Sequence, residues 1–133
     1  MLTGLINNTS GRAEVFGHDM FEEMAEIRKF MGVCPQHDVL FDLLTPMEHL
    51  MIFCDFKGID SAIKVEECKK MIKETNLDSY ENTYAKNLSG GTRRKLSVAI
   101  ALVGGSKLVL LDEPTSGMDL TARRKLWNML KGQ

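Results

Sequence analysis

The 133-residue sequence contains no apolar run approaching the roughly 20 residues needed to cross a bilayer. No basic stretch followed by an apolar core opens it, so the pattern of a secretory leader is not visible. Excess charge of either sign is missing too. The 17 Lys and Arg against 18 Asp and Glu leave a net charge of −1, and nothing global points to nucleic acid or an anionic membrane surface. Cysteine is sparse: Cys34, Cys54 and Cys68 are odd in number, far apart and form no C-x-x-C pair. That argues against a zinc site or a disulfide framework, and for small buried hydrophobes in a reducing compartment. No internal repeat accompanies the two basic triplets Arg93-Arg94-Lys95 and Arg123-Arg124-Lys125.

What is present reads as one ordinary globular domain, with 44% hydrophobic and 26% charged residues. The most informative stretch is Lys107-Leu108-Val109-Leu110-Leu111-Asp112-Glu113-Pro114-Thr115. Four apolar residues in a row predict a short strand buried on both faces. Asp112 and Glu113 follow where it ends, and Pro114 cannot donate to a sheet. Ligands of parallel α/β sheets sit beyond the carboxyl ends of the strands. The pair is therefore either a solvated acidic turn or a centre for metal and water chemistry.

Asn7-Asn8-Thr9-Ser10-Gly11 is a turn cluster, and Ala13-Glu14-Val15-Phe16-Gly17 a short strand closed by glycine. Residues 21–29 predict a helix with Phe21, Met24 and Ile27 on one side. Phe30-Met31-Gly32-Val33-Cys34 predicts a second strand, placing Gln36 just past a strand end, as Asp112 is. An amide there serves either as an ordinary loop residue or as a group that touches both a metal and a water. His18 falls in a turn, and His18, His37 and His49 are lone histidines without ligand-spaced partners.

Thr45-Pro46-Met47-Glu48 is a helix start with a capping box, followed by Leu50, Met51, Phe53 and Cys54 on the apolar side and Gly58 at the end. A second helix, about 62–75, has Val65, Cys68 and Ile72 in register and Asn76 after it. The block 45–83 thus reads as an all-helical insertion between strand-bearing regions. Leu88-Ser89-Gly90-Gly91 then opens a helix whose Leu96, Ala99, Ile100 and Val103 form a buried stripe. Its free N–H groups and partial positive charge suit phosphate, although Ser89 also reads as a plain N-cap. Arg93-Arg94-Lys95 reads first as a solvated face, with a phosphate-facing role as the alternative. Asp119 can cap a last helix with Ala122, Leu126, Met129 and Leu130 on its apolar side. Met1 to Leu5 reads as the last turn of a helix with Gly4 at its cap, and the final helix is under way where the chain stops. Both ends suggest a piece of a longer protein.

Taken in order, Gln36, a helical insertion, L-S-G-G opening a helix, an apolar strand ending D-E-P-T, and S-G-M-D resemble the nucleotide-binding domain of ABC transporters. Cys34-Pro35-Gln36-His37-Asp38, residues 94–102 and Ser116-Gly117-Met118-Asp119 look like subfamily A, whose members mostly move lipids. The resemblance implies an α/β fold, a P-loop NTPase-like mostly parallel sheet that is incomplete here, carrying a helical subdomain. Residues 1–44 would be core with the Q-loop, 45–83 the helical subdomain, and 84–133 the signature motif, Walker B strand and D-loop. The implied cofactors are ATP and Mg²⁺. Asp112 and Gln36 would hold Mg²⁺, and Glu113 would orient and deprotonate the attacking water. Ser89, Gly90 and Gly91 would reach the ATP of a partner domain in a head-to-tail dimer, with Asp119 along the dimer seam. The other partners would be the transmembrane domains, with the domain on the cytoplasmic face of a membrane and no role for nucleic acid.

The family's P-loop, G-x-x-x-x-G-K-[ST], does not occur in the sequence, and Thr92 stands where the family most often has Gln. The switch histidine and the adenine-stacking aromatic are likewise outside it. Alternatives are a soluble ABC ATPase and a truncated, non-catalytic regulatory fragment. Without the P-loop cradle the 133-residue chain alone is expected not to hydrolyse ATP. With a sheet edge left unpaired it should melt broadly; a sharp two-state transition by calorimetry would contradict this.

Overall fold

The computed structural model describes residues 2–6 and 9–131. Met1 of the helix tail, Asn7 and Asn8 of the turn cluster, and the side chain of Met129 lie outside the described residues. Residues 2–6 are turn and bend, with Gly4 in the left-handed region at φ 69°.

A small hairpin comes first: β1 (Glu14–Val15) pairs antiparallel with β2 (His18–Asp19). Phe16 and Gly17 both have positive φ, 50° and 85°, as a two-residue hairpin turn requires. The predicted strand is therefore shorter than expected and folds back on itself. His18 lies in a strand rather than a turn, and its Nδ1 is 3.1 Å from Glu23 Oε1. The next helix also starts late. The Asp19 carboxylate accepts from the Phe21 and Glu22 amides, which holds these residues in a turn, so α1 runs Met24–Phe30. Ile27 and Met20 are buried in a small cluster with Met31.

The sheet that matters for function pairs β3 (Met31–Cys34) with β4 (Leu108–Leu111) in parallel, Met31 opposite Leu108 and Cys34 opposite Leu111. Between them in sequence lie α2 (Pro46–Phe56), α3 (Ser61–Glu74) and α4 (Gly90–Leu102); α5 (Leu120–Lys131) follows β4. The capping box at Thr45 is present: Thr45 Oγ1 accepts from the Glu48 amide, and the Glu48 carboxylate accepts from the Thr45 amide at 2.7 Å. Gly58 at φ 72° and Asn76 at φ 53° sit just past the ends of α2 and α3, where the sequence placed them.

The centre of the molecule is α4. Its predicted stripe is buried, but so are Ser97, Val98, Ala101 and Leu102, so the helix is enclosed on every side from Leu96 onward. Each fully buried Leu, Ile or Val there contributes on the order of 1.5–3 kcal/mol. β3 lies directly on it: a Cβ at Gly32 would sit 1.7 Å from the Ala101 carbonyl oxygen, so only glycine allows this approach. Lys57, at the end of α2, closes the other end of α4 by donating to Val103 O at 2.6 Å and Ser106 Oγ at 2.5 Å.

Two expectations are corrected. Val65 is 45% exposed: the buried residues of α3 are Cys68, Met71 and Ile72, and one turn before Cys68 their side of the helix carries Lys64, which reaches Asp55 on α2 at 2.6 Å. β4 is half-buried throughout rather than buried on both faces. Part of its surface lines an open cavity of about 450 Å³, together with Leu2, Thr3, Leu5, Val33 and Cys34. All three cysteines are buried and free, as expected. Among the described residues no helix is long and apolar enough to cross a membrane.

His49, on α2, is fully buried; its Nε2 accepts the Phe41 amide at 2.9 Å and its Nδ1 lies 2.8 Å from Thr45 O. That arrangement uses both ring nitrogens of a neutral imidazole, and burial pushes its pKa below the ordinary histidine value. A depressed folded-state pKa means the unfolded chain binds the proton first. The stabilisation is complete above the unfolded value of about 6.5 and is lost as pH falls. The urea midpoint of the domain should therefore fall between pH 6.5 and 5, before carboxylates titrate, and His49→Gln should flatten that dependence.

Candidate functional site

The parallel register brings two loops to one edge. β3 and β4 end level, and the Asp112 amide donates to Cys34 O at 2.9 Å. Pro35-Gln36 and Asp112-Glu113 thus leave the sheet side by side, with Gln36, Asp112 and Glu113 exposed to solvent. Glu113 adopts φ 44°, a left-handed conformation uncommon for a residue with a side chain and a frequent mark of functional turns.

Beneath this edge lies a residue that the sequence placed on a solvated face. Arg94 is only 2% exposed. Its Nη1 donates to Pro35 O at 2.6 Å, Gln36 O at 3.2 Å and Asp38 Oδ1 at 3.2 Å. Nη2 donates to Asp112 O and, at 2.7 Å, to Glu113 O, while Nε donates to Pro114 O at 3.2 Å. Asp38 is held from the other side by Ser97 Oγ at 2.8 Å. The solvated-face reading fails here because the loops after β3 and β4 fold over this turn of α4. A signal for Arg94 existed in the sequence. It continues the side of α4 bearing Val98 and Ala101, at i, i+4 and i+7, and an arginine in line with buried small residues must have partners. Asp38 carried no comparable signal.

Ser89 caps α4 as expected: its Oγ accepts the Thr92 amide at 3.2 Å and lies 2.7 Å from Thr92 Oγ1. Thr92 is buried, so the threonine in place of the family's usual Gln supports the cap. Ser89 and Gly90 are exposed, and a Cβ at Gly90 or Gly91 would meet nothing within 4 Å. Neither glycine has positive φ, so the chain's own packing requires neither. Glycine in a helix costs about 1 kcal/mol relative to alanine, so these two leave room for something outside the chain.

Asp119 caps α5 through the Ala122 amide at 2.8 Å. That bond holds its carboxyl below the ordinary range, with nearby Lys95 a lesser influence. Arg94 thus joins Gln36 to the Asp112-Glu113 pair, whereas Asp119 caps α5 and makes no bond to Arg94. Among the described residues no group of three His, Cys, Asp or Glu forms a metal cage. The donors at the shared edge are hard oxygens: one carboxylate from Asp112 and the amide oxygen of Gln36. This set suits Mg²⁺, which takes few protein ligands and completes its octahedron with water and phosphate.

A family model described as ABC transporter matches residues 1–116. The chain belongs to the ABC transporter family. Among curated relatives it is 50% identical to the human protein named "Phospholipid-transporting ATPase ABCA3", over all of this chain and 8% of that protein. It is 49% identical to "ATP-binding cassette sub-family A member 2" of Rattus norvegicus, over 98% of this chain and 5% of that protein. The chain therefore spans less than a tenth of the length of these ABC relatives, and their names agree with the subfamily A resemblance. Among solved structures, an ATP-binding subunit of an ABC transporter aligns at TM-score 0.85 and 22% identity, covering 98% of this chain and 55% of the other. A dimeric bacterial ABC transporter cassette aligns at TM-score 0.85 and 24% identity, covering 97% and 60%. These two establish the P-loop NTPase-like α/β fold inferred from the motifs.

The left-handed backbone at Glu113 carries a strain that glycine would relieve. With its side chain solvent-facing, Glu113→Gly should raise the unfolding free energy of the domain by about 1 kcal/mol, read as a higher urea midpoint.

Proposed function

We propose that the chain is part of the ATP-binding and ATP-hydrolysing domain of an ABC transporter, which couples hydrolysis to movement of lipid across a membrane. The observation that carries this reading is the shared edge, where parallel strands present Gln36, Asp112 and Glu113 above one buried guanidinium. The lipid assignment rests on relatives named phospholipid-transporting ATPases.

In this reading Asp112 and Gln36 supply oxygens to Mg²⁺, which would neutralise phosphate charge as it develops. Glu113, next along the chain, orients the attacking water and accepts its proton. The open N-terminus of α4, with Ser89, Gly90 and Gly91, faces the γ-phosphate bound on a second nucleotide-binding domain. Each chain would then contribute a carboxylate half to one site and a phosphate-facing half to the other. Two cassette structures similar to this chain are dimeric, one of them bound to ADP and Pi. Asp119, capping α5 on the exposed surface, is assigned to the seam of that head-to-tail dimer. The remaining partners are the transmembrane domains of the same transporter, which place this domain on the cytoplasmic face of the membrane.

Glu113→Gln in the intact transporter tests this reading. The substitution keeps the side-chain shape and removes the base. Steady-state ATP turnover should fall at least about 100-fold while nucleotide binding persists; undiminished turnover refutes the assignment.

A further inference from the structure

The Arg94 guanidinium connects parts of the site that the proposed chemistry treats separately. Its five N–H donors meet six acceptors: the carbonyls of Pro35, Gln36, Asp112, Glu113 and Pro114, and the carboxylate of Asp38. None of these acceptors belongs to α4 itself. Five are main-chain carbonyls of the two strand-end loops, so the contacts orient backbone, and with it the direction in which Gln36, Asp112 and Glu113 project. The left-handed turn at Glu113 is part of the same arrangement, since its carbonyl bonds to Arg94 while its side chain faces solvent.

We propose that Arg94 is a positioning residue for ATP hydrolysis. It ties the Gln36 loop and the Asp112-Glu113 strand end to the helix whose first turn carries Ser89, Gly90 and Gly91. It thereby couples the carboxylate half of one nucleotide site to the phosphate-facing half of the next. This rests on the function proposed above. Gly90 and Arg94 are about one helical turn, roughly 6 Å, apart on one helix. A close-packed helix moves as a body, so a shift of its first turn against phosphate carries the guanidinium with it. The two loops follow, because five of their carbonyls are bonded to the guanidinium that moves with the helix. Asp38, gripped by both Arg94 and Ser97, sets the orientation of the guanidinium. Lysine cannot replace it: three donors on one nitrogen do not serve six acceptors in two loops.

The test uses the intact transporter with Arg94→Lys, Ser89→Ala, the double variant and, separately, Glu113→Gln. Arg94→Lys should lower kcat about 10- to 100-fold, as misplacement by a fraction of an ångström does, with KM for ATP and the Kd of a fluorescent ATP analogue within about threefold of the parent. The double variant should lose no more than about threefold beyond the worse single one, because both substitutions break one linked unit. Wild-type kcat in Arg94→Lys overturns the proposal. So does a kcat loss matched by equal losses of nucleotide binding and thermal stability, which marks a purely structural role. Multiplicative losses in the double variant overturn the coupling. If Glu113→Gln retains turnover, the reading of the site itself fails. If it abolishes turnover while Arg94→Lys is normal, only the positioning role fails.

Discussion

A single buried cation holds the junction together. Arg94 sits beneath the ends of two parallel strands with one carboxylate and five carbonyl oxygens around it. Bringing a guanidinium out of water costs several kcal/mol, and the interior tolerates it only when its N–H groups are bonded. Here they are. The reverse also holds: without the guanidinium, the carbonyls of residues 35, 36 and 112–114 would lose the donor that ties both loops to α4. The two loops have no wide ladder of their own to hold them, since β3 and β4 are four residues each. Their placement depends on a side chain from a third element.

That third element owes its position to packing. α4 is enclosed by β3 and by the α2–α3 pair, with Leu96, Val98, Ala99 and Val103 fully buried. The contact with β3 is close enough that Gly32 has no room for a side chain. At the other end of α4, Lys57 bonds Val103 O, a cation at the negative end of the helix dipole. Only the first turn is open, and there the chain has serine and two glycines. Helix α4 is thus rigid and buried where it supports the strand ends, and bare where a ligand from outside can approach.

The motifs determined a large part of this by themselves. The capping box at Thr45, the Ser89 cap, the Asp119 cap and the glycine and asparagine after α2 and α3 follow from local chemistry. The structure shows each where the sequence placed it. The strands were legible because short apolar runs ended at Pro35 and at Asp112-Glu113-Pro114. Local errors had local causes: the Asp19 carboxylate captured two amides and delayed α1, and the turn at Phe16 and Gly17 halved the first strand. Val65 shared a helical period with buried residues but is 45% exposed, and its neighbour Lys64 makes the contact with α2 at that turn.

The family, the fold class and the identities of the candidate site residues were set by residue type and order along the chain. Those depend on interactions within a few residues, or on motif spacing. Only the tertiary structure decided that β4 is half-buried and that Arg94 is an internal clamp. It also decided that Asp38 and Ser97 support Arg94, more than fifty residues apart in the chain. The physical reason is that burial of a charged residue is a property of what folds over it. The residues covering Arg94 come from two loops that meet only when β3 and β4 pair in parallel.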